Sequence, residues 1–179
     1  MSNRAGERAV VLGGSMAGLL AARVLADSYD EVLVVERDAI TGTTTARKGV
    51  GQGRHVHGLL ARGQQILDEL FPGFTEEAVD AGIPTGDLGE LRWFFNGRRL
   101  EPGTTGLLCV SATRPVLESR VRERVAALPG VTLLERHDVG GRAGGGGRGP
   151  LSGGRVQKQG PRDGVRPRYS GSGGETAGP

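Results

Sequence analysis

The sequence predicts an α/β fold with a parallel sheet near its N-terminus, a β-hairpin insertion and a glycine- and arginine-rich tail. Two short apolar segments at 8–13 and 31–36 flank an amphipathic segment, and together they have the length of a βαβ unit, about 30 residues. An Asn-Gly pair inside 91–101 is typical of a hairpin turn. Beyond residue 140 the apolar periodicity stops, which predicts a disordered tail.

Composition and charge divide the chain in the same way. Of 33 glycines, 15 lie in 140–179, where seven basic and two acidic residues make the tail positive although the rest of the chain is mildly acidic. A basic groove for nucleic acid is therefore not expected in the folded part, so we predict no specific nucleic-acid partner. Loose, salt-sensitive binding of polyanions by the tail remains an alternative.

The single cysteine, Cys109, lies in an apolar run, which indicates a buried thiol in a reducing, cytoplasmic environment. The apolar segment after Arg8 could also be a secretory signal, but Arg23 interrupts it and a second strand follows at βαβ spacing. No apolar run approaches the roughly 18 residues of a membrane span. His55 and His57 could suggest a metal pair, but no third ligand cluster supports one, so no metal is predicted.

The N-terminal unit begins with a strand at 8–13 that is apolar on both faces, as buried parallel strands are. A helix at 16–27 follows, with a predicted buried stripe that includes Leu19 and Val24. A second apolar strand at 31–36 completes the unit.

The next patterns along the chain predict a long polar loop at 37–57, a helix at 58–71 and a short helix through Ala81 with Thr75 as its N-cap. A hairpin is predicted at 91–101, in which Trp93, Phe94 and Phe95 pack, and a strand follows at 107–110. The last patterns predict a helix with Pro115 near its start and Pro129 at its end, and a strand at 131–139 with a structural His137. No element is predicted after it. We therefore expect a domain at 1–139 and a low-complexity, disordered tail at 140–179.

The turn at 13–18 resembles a phosphate-binding loop in its spacing. Gly13 and Gly18 stand at the first and third positions of G-x-G-x-x-G, where one permits the tight turn and the other lets the helix approach the strand. Ser15 takes the second position, where it is small and its hydroxyl can donate to a phosphate oxygen. Glu36 ends the second strand, where a carboxylate can accept from both ribose hydroxyls of an adenosine.

These features together favour dinucleotide binding over the alternative of an ordinary tight turn followed by a strand-end acid. The spacing does not distinguish NAD from FAD. The segments "AVVLGGSMAGLLAARVLAD", "EVLVVERD", "GQGRHVHGLLARGQQILDELFPG", "WFFNGRRL" and "TRPVLESRVRERVAALPGVTLLE" resemble, in the same order, the N-terminal part of FAD-dependent monooxygenases of the p-hydroxybenzoate hydroxylase-like superfamily. The resemblance runs from about residue 8 to 139 and implies an incomplete, Rossmann-like FAD/NAD(P)-binding domain.

The resemblance also implies a set of site residues. They are Gly13, Gly14, Ser15 and Gly18 at the FAD pyrophosphate, Glu36 at the adenosine ribose, Arg37 near the adenine, Gln52, His55 and His57 beside the flavin, and Arg114 reaching the FAD. Solvated histidines at 55 and 57, and a surface role for Arg114, remain alternatives. No residue is nominated as a catalytic acid, base or nucleophile.

The function implied is that of an FAD enzyme that is reduced by NAD(P)H and hydroxylates a small organic substrate with oxygen. A reductase or dehydrogenase of the same fold, or a non-catalytic dinucleotide-binding remnant, are the alternatives. The later cofactor motifs of such enzymes are not found, and the composition after residue 140 resembles out-of-frame translation of a GC-rich gene. A truncated or frameshifted chain is therefore one hypothesis, and a natural disordered tail is the other. The substrate and the oligomeric state are not indicated by the sequence.

Overall fold

The structure is a computed structural model, and it describes residues 4–47, 50–142 and 154–159. Four α-helices are present in these ranges: α1 (Met16–Leu25), α2 (Ala61–Leu70), α3 (Phe74–Asp80) and α4 (Arg114–Ala126). The strands of the same ranges are β1 (Gly6–Leu12), β2 (Tyr29–Val35), β3 (Val56–Leu59), β4 (Thr85–Asp87), β5 (Phe94–Phe95), β6 (Arg98–Arg99), β7 (Leu108–Thr113), β8 (Val131–Leu134), β9 (His137–Arg142) and β10 (Gly154–Lys158).

A parallel sheet of order β1-β2-β8 organises the N-terminal unit. Val34 of β2 lies opposite Val11 of β1 on one side and Leu133 of β8 on the other. Helix α1 connects β1 to β2, and α4 precedes β8. Because parallel neighbours require such crossover connections, this arrangement confirms the α/β prediction.

The core lies on the face of this sheet that α1 and α4 cover. Leu19 and Ala22 of α1 and Val121 of α4 are fully buried in one cluster with Val34. The predicted stripe of α1 is wrong at Val24, which is 53% exposed. The small Ala22 takes the buried position instead, because a methyl group lets the helix lie close to its neighbours.

The opposite face of β1 is open among the described residues. Val10 and Leu12 are 52% and 64% exposed, so the prediction of a strand buried on both faces is wrong for this part of the chain. Leu12 lines a cavity that is described below.

A second, antiparallel sheet of order β3-β7-β4 follows. Strand β3 lies where the sequence predicted a loop and the start of a helix, and β4 was not predicted. Both are three or four residues long, too short for an alternating pattern to be recognised. Each pairs with β7, whose Val110 is fully buried.

Helix α3 begins one residue before the predicted cap. Gly73, with φ of +83°, is the N-cap residue, and the Thr75 hydroxyl makes no capping bond to its own helix. Instead Asp68 of α2 accepts from the Thr75 N–H at 2.9 Å and from its hydroxyl at 2.6 Å. A carboxylate from the preceding helix therefore replaces the predicted local cap.

The predicted hairpin is present as β5 and β6, with Asn96 and Gly97 at φ of +49° and +75° in its turn. Its aromatic side chains do not pack as predicted. Phe94 and Phe95 are 65% and 71% exposed, and Trp93 is also exposed.

The predicted strand at 131–139 is two strands, β8 and β9, which are separated at Arg136, where φ is +57°. Strand β9 continues past residue 139 and pairs antiparallel with β10, with Val139 opposite Val156. The prediction that no element follows residue 139 is therefore wrong for these two strands. The other tail residues, 143–153 and 160–179, lie outside the described residues. No helix in the described ranges is long and apolar enough to cross a membrane.

Candidate functional site

A cavity of about 510 Å³ opens at the carboxyl ends of β1 and β2. Its lining comes from the ends of both strands, the loop after β2, the start of α4 and strand β9: Leu12, Gly13, Ser15, Val35, Glu36, Arg37, Asp38, Arg47, Val50, Gly51, Arg114, His137, Asp138 and Val139. In open α/β sheets, ligands bind in a crevice at this end of the strands. The cavity is therefore the candidate functional site.

The turn between β1 and α1 requires glycine at two positions for different reasons. Gly13 has φ of +102°, and a Cβ there would meet nothing within 4 Å, so the backbone faces open space. A Cβ on Gly18 would lie 1.8 Å from the Gly13 carbonyl oxygen, which no side chain can accommodate without a backbone shift. Gly13 thus gives the turn its conformation, and Gly18 permits the close approach of the helix.

Ser15 is the N-cap residue of α1. Its carbonyl accepts from the Leu19 N–H at 2.9 Å, and its side chain makes no capping hydrogen bond. The first turn of α1 has no acidic residue, and the N–H groups at a helix start lack intrahelical partners. A helix end of this kind favours an anion, and the Ser15 hydroxyl is a further donor beside it.

Glu36 follows β2 and is buried, with 7% exposure. One carboxylate oxygen accepts from the Gly14 N–H at 2.7 Å, and the other accepts from the Asp38 N–H at 2.9 Å. A Cβ on Gly14 would lie 2.7 Å from the Cδ1 of Ile40, so the turn fits closely against the loop after β2. A carboxylate offers about four acceptor positions, so these two bonds leave capacity for further donors.

Arg47 reaches the same cavity from the loop after β2, and the sequence analysis did not single it out. Its buried guanidinium lies 3.7 Å from a Glu36 oxygen and 3.5 Å from an Asp38 oxygen. It also donates a hydrogen bond to Glu118 of α4. A single arginine in a polar loop without periodicity carries no sequence signal for this position.

Glu118 is surrounded by three arginines. Besides Arg47, the Arg114 Nε lies 3.6 Å from one of its oxygens and the Arg122 Nη2 lies 3.4 Å from the other. Burial lowers the pKa of the Arg122 guanidinium below its ordinary value, and the nearby Glu118 charge partly opposes this. Within the described ranges, the Nε atoms of Arg114 and Arg122 are buried without a hydrogen-bond partner. We call Arg47, Arg114, Glu118 and Arg122 the Glu118 cluster.

The loop after β2 is held by hydrogen bonds to two other segments, α4 and the residue that follows β8. The Arg122 Nη1 donates to the carbonyl oxygens of Ile40 at 2.6 Å and Thr43 at 3.0 Å. Glu135, just after β8, accepts from the N–H groups of Ile40 and Thr41. Burial alone would raise the pKa of Glu135, but hydrogen bonding from the Thr41 side chain and from these two N–H groups lowers it below its ordinary value. The part of this loop from Ile40 to Thr43 is therefore anchored both to α4 and to the end of β8.

The structure brings most of the predicted site residues together. Five line the cavity: Gly13, Ser15, Glu36, Arg37 and Arg114. Gly14 and Gly18 are not in its lining and support the turn from behind.

His55 and His57 are not in the cavity lining, although Gly51 of the same segment is. The side chain of Gln52 lies outside the described part of the structure. The Nδ1 of His57, in β3, lies 2.9 Å from the His55 carbonyl oxygen. His137, which is predicted to be structural, lines the cavity. Among the described residues no group of three or more His, Cys, Asp and Glu side chains could hold a metal ion.

Most of this chain shares its fold with part of solved oxygenases, among them a probable FAD-dependent monooxygenase. PqsL, a probable FAD-dependent monooxygenase from Pseudomonas aeruginosa, superposes with a TM-score of 0.60 at 15% identity, over 84% of this chain and 38% of its own. The tetrameric form of 2-methyl-3-hydroxypyridine-5-carboxylic acid oxygenase superposes with a TM-score of 0.53 at 24% identity, over 86% of this chain and 38% of its own. At these identities the likeness shows the fold alone.

Among curated proteins, Protein Rv3254 of Mycobacterium tuberculosis is 39% identical over 149 residues. The match covers 76% of this chain and 30% of the relative, so the chain spans about a third of the length of that protein. No protein-family model matches the chain.

Proposed function

We propose that this chain binds FAD, with the adenosine diphosphate part of the cofactor in the cavity at the ends of β1 and β2. The observation that carries the proposal is a convergence: the glycine turn, Glu36 and Arg114 come from three separate segments, and all three reach one cavity. The glycine turn suits a pyrophosphate and Glu36 a ribose, and the family resemblance implies that Arg114 reaches the FAD.

The residues present fit such a ligand. The backbone at Gly13 faces open space, and the free Ser15 hydroxyl and the start of α1 would hold the pyrophosphate. Glu36 would accept from the ribose hydroxyls with its remaining acceptor positions, and Arg37 would lie near the adenine. The Nε of Arg114, which has no hydrogen-bond partner in the described part of the chain, supplies a further donor for an anionic ligand.

The activity we propose is that of a flavin-dependent monooxygenase, which hydroxylates a small organic substrate with NAD(P)H and oxygen. The bound flavin would supply the redox chemistry, while the protein binds and orients the cofactor. Gln52 and His57 would lie on the flavin side, beyond Gly51 at the cavity edge. The domain at 1–139 would then be a Rossmann-like cofactor-binding unit.

The test is a titration of the purified protein with FAD, followed by the quenching of flavin fluorescence. Glu36→Ala is compared with Glu31→Ala, since Glu31 lies on the same strand with an exposed side chain that pairs with Arg8. Loss of charged hydrogen bonds to the ribose predicts affinity lower by about tenfold or more for Glu36→Ala. Glu31→Ala should bind as the unsubstituted protein does. Equal affinities for the two variants, or no FAD binding by the unsubstituted protein, would contradict the proposal.

A second candidate is a dinucleotide-binding protein without catalysis, since Gly13, Ser15 and Glu36 at the cavity would hold a dinucleotide whether or not a reaction follows. Oxidation of NAD(P)H and consumption of oxygen by the FAD-loaded protein distinguish the two. Reductant oxidation with product hydroxylation supports the monooxygenase, and reductant oxidation without hydroxylation supports a reductase or dehydrogenase of the same fold. Stable FAD binding without reductant oxidation supports the non-catalytic protein.

A further inference from the structure

We propose that Glu118 is a positioning residue that holds Arg47 and Arg114 at the cavity as a pair for the anionic part of the ligand. The proposal rests on the cavity being a nucleotide site, as proposed above. Glu118 itself does not line the cavity, but both of these arginines do. Its carboxylate would therefore act on the ligand only through them.

Helix α4 places three members of the Glu118 cluster on one face. Arg114, Glu118 and Arg122 are spaced by four residues, so their side chains follow one another along the helix. The two Glu118 oxygens have different neighbours. Oε2 faces Arg114 at 3.6 Å, while Oε1 faces Arg122 at 3.4 Å and accepts a hydrogen bond from Arg47. One buried carboxylate thus orients an arginine of its own helix and an arginine of a distant loop.

Arg47 is bound unequally by its carboxylate neighbours. Its contact with Glu118 is a hydrogen bond, whereas Glu36 at 3.7 Å and Asp38 at 3.5 Å lie beyond hydrogen-bond distance. An anionic ligand can therefore replace the two longer contacts while the bond to Glu118 stays. Withdrawal of Arg47 from Glu36 would also leave that carboxylate free to accept from ribose hydroxyls.

Arg122 has a different role from the other two arginines. It does not line the large cavity, and its Nη1 is already used by the carbonyl oxygens of Ile40 and Thr43. It fixes the loop, and Glu118 then fixes Arg47 at the loop's end. Within the Glu118 cluster, Arg122 is therefore a structural cation, while Arg47 and Arg114 are the two cations that face the ligand.

The test compares binding of ADP and of adenosine by calorimetry, since the two ligands differ only in the diphosphate. Glu118→Gln is expected to weaken ADP binding by about tenfold, because the arginines lose their charged acceptor, and to change adenosine binding by less than about twofold. Glu123→Gln is the matched control, since Glu123 is exposed on the same helix and the same charge is removed. It should leave both affinities unchanged. Glu118→Asp keeps the charge and should restore part of the ADP affinity.

Several outcomes would overturn the inference. Equal loss of ADP and adenosine binding in Glu118→Gln would show a general structural role, and unchanged ADP binding would show no role. If circular dichroism shows that Glu118→Gln does not fold, Glu118→Asp is measured in its place. A loss of ADP affinity without a loss of adenosine affinity then supports the inference, and any other result contradicts it. If the unsubstituted protein binds ADP but not FAD, the FAD proposal fails and the ADP comparison still judges Glu118. If it binds FAD but neither ADP nor adenosine, the inference about Glu118 is overturned while the FAD proposal stands. If it binds none of the three ligands, both proposals are overturned.

Discussion

Glu36 and Gly14 are joined by a hydrogen bond of 2.7 Å from the backbone N–H of the turn to the buried carboxylate at the end of β2. The residue that we propose for the ribose is therefore also a support of the glycine turn. Its two roles can be separated experimentally, because one is present without any ligand.

Glu36→Gln should lower the free energy of unfolding in the absence of nucleotide by about 1–3 kcal/mol, because a buried charged acceptor of the Gly14 and Asp38 N–H groups is replaced by a neutral amide. Urea denaturation measures this. Glu31→Gln, at an exposed position on the same strand, should change stability by less than about 0.5 kcal/mol. Equal stability of the two variants would mean that the hydrogen bonds of Glu36 do not support the turn.

Gly18→Ala should destabilise the protein by about 1–3 kcal/mol, because its methyl group would lie 1.8 Å from the Gly13 carbonyl oxygen and force the helix from the strand. Gly86→Ala is the control, since a Cβ there meets nothing within 4 Å. That substitution should be neutral or slightly stabilising. Midpoints of denaturant unfolding give the comparison, and a stable Gly18→Ala protein would refute the close approach.

Arg122→Met should lower the free energy of unfolding by about 3–5 kcal/mol. The substitution removes a buried cation from the Glu118 cluster and leaves the Ile40 and Thr43 carbonyl oxygens without their donor. Hydrogen exchange of the Thr43 amide should become faster as the loop loosens. The matched control is Arg120→Met on the same helix, since that half-exposed side chain makes only a long contact, 3.5 Å, to a carbonyl oxygen. Unchanged exchange in Arg122→Met would contradict the anchoring of the loop.

The contribution of Asp87 to the stability of the fold should be lost in acid. The hydroxyl of Thr105, followed by the N–H groups of Gly89, Thr105 and Gly106, lowers its pKa from 3.8 to about 2, against the opposing effect of burial. Because the pKa is lower in the folded state, the stabilisation is complete above about pH 4 and is lost as the pH falls towards 2.

The difference in unfolding free energy between the unsubstituted protein and Asp87→Asn should therefore shrink between pH 4 and pH 2. Asp80→Asn, at an exposed helix end, is the control for the removal of a charge. A difference that stays constant over this pH range would contradict the lowered pKa.

The conformation of the glycine turn could be predicted because it depends on short-range geometry. The positive φ of Gly13 and the contact between Gly18 and Gly13 lie within six residues of each other, so residue type and spacing carry the information. The hairpin at Asn96 was predictable for the same reason.

The remainder of the site depends on contacts between distant segments. Arg47 and His137 reach the cavity only because the loop after β2 and strand β9 fold over the ends of the sheet. One signal was available and missed: Glu118 and Arg122 lie four apart beside the apolar stripe of Leu117 and Val121. Two opposite charges next to a buried helix face indicate a buried ion pair.

The order of the parallel sheet has a consequence for folding kinetics. Strand β2 pairs with β1 through a short crossover, but its other edge pairs with β8, which follows the whole second sheet and α4 in the chain. Such a distant pairing must overcome the entropy of closing a long loop, which slows folding. The cavity has walls from Gly13 and Glu36 and also from His137, so its two sides meet only once β8 has joined the sheet. A nucleotide bound there, as proposed, would therefore stabilise the finished fold and slow its unfolding without accelerating the pairing of β8.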